Sequence, residues 1–308
     1  FTTPWIIYSS YTEPLLRAFM TPLTISAYAY GTKVYDGTTT LTAGDTGTNF
    51  TVATGIGSQT LTVNGSANAN SANVMGVSNL NTTGLSLVDG AGGGLASNYR
   101  LPVTTNNVSI SPKSISVSIA NQTKMYDTTT AAILTAGNGS SDGSYILTGF
   151  MGNDGAYITQ TVGSYNNANV ANATSVTALV GSSYVAKSGT TLTNYVLPVS
   201  VSTAAGGASL TPAPLTMTAN DVTTYKTVAP ATPMAYQLTG LLGADTAGTA
   251  ISSATVTYSA DLLSASMSTP TLNALTPSAT SSNYSLTFVK GSLMVADNYQ
   301  MVVNAGSN

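Results

Sequence analysis

Two residue pairs in this chain have the types needed for covalent chemistry: Lys33 with Asn98, and Lys124 with Asn194. A lysine and an asparagine on neighbouring strands can condense. The neutral amine attacks the side-chain amide, an Nζ–Cγ isopeptide bond forms, and ammonia leaves. Burial would have to lower the lysine pKa, and a carboxylic acid with a raised pKa would have to donate a proton. The lysines open the phrases "KVYDGTTT" (33–40) and "KMYDTTTAA" (124–132), and the asparagines open "NYRLPV" (98–103) and "NYVLPV" (194–199). Asp36 and Asp127 are the acids nearest in sequence. Three residues along a regular strand, however, places Asp36 on the face opposite Lys33. The structural alternative is plainer. Tyr35 packs at a sheet edge with its hydroxyl on a backbone partner, and Asp36 binds the amides of the turn begun by Gly37. This second reading is the stronger, because the third copy of the phrase moves its lysine to Lys226, one residue past Tyr225.

Composition excludes much other chemistry. The 308 residues contain no His and no Cys, so a Ser-His-Asp triad, a cysteine nucleophile and a Cys/His zinc site are all out of reach. Charged residues make up 6%, with eight basic against eleven acidic and no basic cluster, which argues against a nucleic-acid partner. No apolar run is long enough for a spanning helix. "NGSSDG" (138–143) has one carboxylate where calcium needs several, and so reads as a turn. We expect no catalytic residues, no metal, no cofactor and no enzyme activity.

The elements that would position these residues follow from repetition. "NYSLTF" (283–288) echoes the two earlier closing phrases, so Asn98, Asn194 and Asn283 mark three ends; Tyr35, Tyr126 and Tyr225 mark three beginnings. Segments of about 90–100 residues result: 21–110, 111–210 and 211–295, with an extension at 1–20 and a tail at 296–308. That length suits a whole β-sandwich domain, not a solenoid rung or a propeller blade. Ile115, Val117 and Ile119 alternate with serines, and Leu215, Met217 and Ala219 with threonines. Tyr99, Leu101 and Val103 also alternate, as do Tyr195, Leu197 and Val199, and Tyr284, Leu286 and Phe288. Period two means one buried face and one wet face. Only Ser111-Pro112 and Thr211-Pro212 separate the segments, and proline restricts bending. The expected fold is all-β, three tandem sandwich modules in an elongated, semi-rigid array.

At these phrases the chain resembles the YDG modules found in tandem in secreted bacterial adhesins of the filamentous-haemagglutinin type. Residues 211–295 resemble the related mostly bacterial immunoglobulin-like repeat, MBG. Two departures touch the turn after the tyrosine: Asp127-Thr128 stands where Asp-Gly is the rule, and Tyr225-Lys226 where Tyr-Gly is. The resemblance implies immunoglobulin-like sandwiches in a surface-exposed stalk or fibre of a Gram-negative bacterium. It implies no ligand.

The first twenty residues differ from the rest and hold the sole Trp and the sole Glu. "PWIIYSSY" reads as an extended strand and "EPLLRAF" as one or two helical turns with Thr12 as cap. Three fates are open to this segment: completing a preceding module, packing back on the first, or inserting into a neighbouring subunit through Trp5, Ile6, Ile7 and Tyr8 as a donated strand. The start at Phe1 suits a mature or internal piece of a longer product, and a Thr-, Ser- and Asn-rich surface suits secretion. Expected partners are further copies in a fibre, the rest of a longer chain, or a cell-surface glycan or protein. A glycan-binding module array using exposed tyrosines is the alternative function.

Overall fold

The computed structural model describes residues 5–6, 15–16, 23–24, 30–44, 49–54, 57–101, 103–106, 108–226, 228–258 and 271–296. The described chain is all-β: short strands dominate, and the helical content is one four-residue α-helix, Ala247–Ala250, with single 3-10 turns at Ala96–Asn98 and Leu192–Asn194. No helix among the described residues is long and apolar enough to cross a membrane. The chain divides into two compact units, residues 1–117 with 136–159 and 180–199, and residues 118–135 with 160–179 and 200–308. Each unit therefore contains one of the proline seams, and segment 111–210 contributes to both.

In the first unit the strand Tyr30–Val34 runs parallel to Val108–Ser111, with Lys33 opposite Ile110, and antiparallel to Asn49–Ala53. The long strand Thr60–Ala69 pairs with Thr40–Thr42, Asn49–Ala53, Leu80–Asn81 and Leu85–Asp89. Leu41, Ala67, Ala69 and Leu80 form its core. After Pro112 the chain continues at once into Lys113–Ser114, which lies parallel to Tyr195–Val196. A second core gathers Tyr35, Ile110, Ile115 and Tyr195, so residues from both sides of the seam share one apolar cluster.

The second unit repeats the plan. Gln122–Met125 runs parallel to Ala208–Thr211, Lys124 opposite Leu210, and after Pro212 the strand Ala213–Ala219 lies parallel to Tyr284–Val289. The described residues of 213–296 form two sheets, Tyr236–Thr239 / Ala213–Ala219 / Tyr284–Val289 and Val222–Tyr225 / Gly291–Ala296 / Thr271–Thr280 / Ser252–Tyr258. Met217 and Ala219 of one sheet share a core with Val256, Leu275, Leu293 and Val295 of the other. Three registers coincide: Leu23 pairs with Tyr99, Lys113 with Tyr195 and Ala213 with Tyr284, always in parallel. In sequence each follows a proline, at 22, 112 and 212.

Several expectations change. Alternation in the closing phrases buries the tyrosines but leaves Val103, Val199 and Phe288 exposed, because the strand leaves the core as it runs on. Leu15–Leu16 is extended and pairs antiparallel with Trp5–Ile6, so it is not helical. Two paired strands satisfy backbone groups that a one-turn helix would leave open. Ile7, Tyr8, the side chains of Trp5 and Ile6, and the tail beyond Ala296 lie outside the described residues. Tyr225 is 55% exposed, whereas Tyr35 and Tyr126 are buried. The hydrogen bonds explain the difference. Tyr35 N donates to Ser111 O and Tyr126 N to Thr211 O, while in the third copy Lys226 N makes the corresponding bond to Ala296 O. Tyr225 thus sits one register earlier, facing out, and Thr224 takes the buried lysine position.

The turn after the tyrosine survives its sequence change. Gly37 has φ +81° and Thr128 has φ +67°, so the threonine adopts the left-handed conformation that glycine adopts in the first copy. A β-branched residue there costs about 1–2 kcal/mol. Thr128→Gly should raise stability by about 1 kcal/mol, and Gly37→Thr should lower it by about as much. The check is the urea midpoint at constant m-value; a Thr128→Gly midpoint no higher than that of the parent would contradict the strain.

Candidate functional site

The repeated tyrosines meet at carboxylates that lie far away in sequence. Tyr35 Oη donates to Asp154 Oδ2 at 2.9 Å, and Tyr195 Oη donates to the same oxygen at 2.6 Å. Their rings meet edge to face, centroids 5.2 Å apart. In the second unit Tyr126 Oη donates to Asp245 Oδ2 at 2.9 Å and Tyr284 Oη at 2.6 Å, with centroids 5.3 Å apart. Each seam therefore clamps one carboxylate oxygen between a tyrosine that follows the strand paired with the one before the proline and a tyrosine on the strand paired with the one after it.

A tight turn carries the carboxylate. Asp154 N donates to Met151 O at 2.9 Å and Asp245 N to Leu242 O at 3.0 Å, closing four-residue turns whose Gly152 and Gly243 have φ +53° and +54°. The first amide of each turn, Met151 N or Leu242 N, donates to the Tyr195 or Tyr284 hydroxyl at 3.1 Å. That hydroxyl donates once and accepts once, so its hydrogen-bonding capacity is met inside the seam. The turns come from the phrases "LTGFMGND" (147–154) and "LTGLLGAD" (238–245). The sequence reading passed over both. In the first copy, Tyr99 Oη donates at 2.7 Å to Gln59 Oε1, from "ATGIGSQ" (53–59).

A second bond set flanks the clamp. Asn194 Oδ1 accepts from Val74 N at 2.9 Å while its Nδ2 donates to Asn73 Oδ1 at 2.8 Å. Asn283 does the same with Val170 N (3.0 Å) and Asn169 Oδ1 (2.9 Å). Both loops read Ala-Asn-Val, at 72–74 and 168–170.

The lysines serve the turn, not an asparagine. Lys33 is 4% exposed, and its Nζ contacts Asp36 Oδ1 and Thr38 O at 2.6 Å and Thr38 Oγ1 and Thr40 O at 2.9 Å. Lys124 Nζ repeats this with Asp127 Oδ1 at 2.7 Å and with Thr129 O and Oγ1, and lies 5.3 Å from the Tyr165 ring centroid. Asp36 and Lys33 meet because the strand ends at Val34 and the left-handed turn brings the carboxylate back. Asp36 Oδ1 also accepts from Thr38 N at 2.9 Å, as expected of a turn residue. The Tyr35 hydroxyl, by contrast, finds a carboxylate and not a backbone group. Thr224 Oγ1, standing in the lysine position, donates to Val228 O at 2.7 Å. In the loop 138–143 Asn138 Oδ1 accepts from Ser140 N and Ser141 N, and Asp142 pairs with Lys187 at 3.2 Å.

The titrations follow from these contacts. Burial, then the bond to Asp245, pushes Tyr126 up to about 12; burial and the shared aspartates also raise Tyr35, Tyr195 and Tyr284. Burial would raise Asp36 and Asp127, but hydrogen bonds from Lys33 and Thr38, and from Lys124 and Thr129, prevail and hold both below the ordinary value.

Comparison with known families gives one match, twice: the YDG domain, at residues 20–107 and 111–205, together more than half of the chain. The two matches meet at the Pro112 seam. No curated protein and no solved structure matches.

Asp154→Ala leaves two buried hydroxyls without their acceptor and should cost about 2–4 kcal/mol in urea unfolding. Asp142→Ala, which breaks only a surface pair, should cost less than about 1 kcal/mol; equal costs would refute the clamp. The pH dependence has two edges. Tyrosines raised in the fold stabilise it fully below their ordinary value near 10, and that stability disappears as pH climbs through their folded values, near 12 for Tyr126. Lowered Asp36 and Asp127 act at the other end: their stabilisation is present above the ordinary carboxylate range and is lost as pH falls through their folded values. Melting temperature should stay level between these edges, and Tyr126→Phe should weaken the alkaline one.

Proposed function

The chain belongs to the YDG domain family, and on that premise we propose that it is a non-enzymatic stalk or fibre segment of a secreted bacterial adhesin or extracellular filament, serving surface attachment or cell–cell contact in biofilms. Residues 21–110 and 111–210 are two YDG modules and residues 211–295 an MBG-like third, each an immunoglobulin-like sandwich. The observation that carries this reading is the seam: the same Tyr–Asp–Tyr clamp and the same Asn-to-loop bonds occur on both sides of the second copy. A machine for holding shape needs its stiffest contacts where copies join. Side chains there are spent on one another, with hydroxyls, amides and carboxylate all engaged.

Self-assembly into a fibre has a second support. Ile133, Val162 and Leu179 are exposed in one row across three neighbouring strands, an apolar surface suited to lateral contact between fibres. A glycan-binding array would want a row of exposed aromatics on one face. The strongly exposed aromatics among the described residues, Tyr225 and Phe288, lie on strands of different sheets, so the stalk is the better reading.

Small-angle scattering and negative-stain microscopy of the full chain should give an elongated particle, and the double variant Asp154→Ala, Asp245→Ala should broaden its distribution of lengths. A compact particle would overturn the stalk. Fibres, where they form, should be lost on removing residues 1–20; a monodisperse monomer indifferent to that deletion would defeat polymerisation through Trp5, Ile6, Ile7 and Tyr8.

A further inference from the structure

The three closing asparagines are not in the same state. Asn194 is fully buried and has its Oδ1 on the Val74 amide; Asn283 has its Oδ1 on the Val170 amide. Asn98 is equally enclosed, at 4% exposure, yet its Oδ1 is buried with no hydrogen-bond partner. A native fold rarely strands a buried acceptor, since the group gives up water and receives nothing in return. The backbone around it matches that at Asn194, and the parallel register of the following tyrosine matches both other sites. A 3-10 turn, Ala96–Asn98, delivers Asn98 as Leu192–Asn194 delivers Asn194, and Tyr99 pairs with Leu23 in the register that joins Tyr195 to Lys113. At both complete seams the missing donor is an Ala-Asn-Val loop belonging to the copy that comes before.

We propose that Asn98 is the acceptor half of a third seam, and that its partner is a preceding YDG module whose Ala-Asn-Val-type loop places a backbone N–H on Asn98 Oδ1. This rests on the tandem-array reading above and specifies the neighbour in that array. Two features define the occupant chemically. It brings a loop amide at the position of Val74, and beside it an amide side chain at the position of Asn73, complementary to the Asn98 carboxamide as Asn73 is to Asn194. A fibre contact through strand donation requires neither.

The test compares the full chain with an extended chain in which a second copy of residues 21–111 is joined directly to Pro22, reproducing the Ser111-Pro112 seam. In the extended chain, the added copy's Val74 amide should exchange with solvent as slowly as the original Val74 amide does, and Asn98→Ala should speed it about tenfold or more. Asn98→Ala should leave the melting temperature of the unextended chain nearly unchanged, or raise it, and should lower that of the extended chain by roughly 3–8 °C. A fast-exchanging Val74 in the added copy would overturn the proposal. So would an Asn98→Ala loss of equal size in both chains, because the donor would then lie within this chain already. Asn194→Ala in the same background separates the two readings. If it leaves the original Val74 protected, the seam itself fails; if it exposes Val74 while Asn98→Ala does nothing in the extended chain, only the third seam fails.

Discussion

One carboxylate oxygen receiving two phenolic hydroxyls organises each seam. The two bonds at Asp154, 2.9 and 2.6 Å, converge on one oxygen from tyrosine rings that are themselves buried. Neither tyrosine could be buried there alone, because a hydroxyl without a partner costs more than its ring gains at a crowded site. The carboxylate receives both donors beside the apolar cluster that buries Tyr35 and Tyr195. Each of the three groups is tolerated because the other two are present. The seam prolines, the parallel registers beside them and the glycine turns that carry the aspartates are the means by which the chain brings these groups within hydrogen-bond reach.

Differences between the two seams show which features the geometry requires. The first pairs Gly37 with a Gly152 that has open space around it; the second has Thr128 in the same left-handed turn, with its Oγ1 2.5 Å from where a side chain on Gly243 would begin. Thr128 fills room that the first seam leaves empty, and it does so against a glycine. Strain from the threonine is confined to one residue, since Asp127 still bonds Thr129 N at 2.9 Å as Asp36 bonds Thr38 N. Lysine burial varies similarly. Lys33 is enclosed and takes four acceptors, whereas Lys124 is more open and leans on the Tyr165 ring. Turn shape is held constant while its supports differ.

Alternation and repetition carried the all-β class and the two YDG segments that meet near Pro112, because burial side and chain reversal are local properties of sequence. The partners of the tyrosines were beyond that reach. Asp154 lies 119 residues from Tyr35, and the same interval separates Asp245 from Tyr126, so no local pattern links them. The repeated "LTG" phrases that carry both aspartates were the available signal, and comparing copies over their full length would have exposed it. Matching Tyr225 to Tyr35 by residue type failed for a different reason. A shift of one residue turns a strand side chain to the opposite face, and the buried Thr224, not the tyrosine, preserves the parity. Lysine facing asparagine was a fair reading of strand neighbours, but the chain leaves its strand at Val34 and returns its own carboxylate first.

A chain with 6% charged residues has few ways to specify which surface meets which. Apolar contact is non-directional, and ion pairs are scarce here. Directional bonds to one oxygen supply the specificity instead, and they give the seam a polarity. One side offers a tyrosine after the lysine strand and an Ala-Asn-Val loop; the other offers an aspartate turn and an Asn-Tyr phrase. The second copy carries both sides, as the partners of Asp154 and Asp245 demonstrate. The third copy carries the receiving side in Asp245, Asn283 and Tyr284, but Lys226 stands where its offering tyrosine would be. With lysine at that position the third copy presents no phenol there of the kind that Tyr35 gives to Asp154 and Tyr126 to Asp245, and the first copy, whose Tyr99 donates to Gln59 Oε1, receives at an amide instead of a carboxylate.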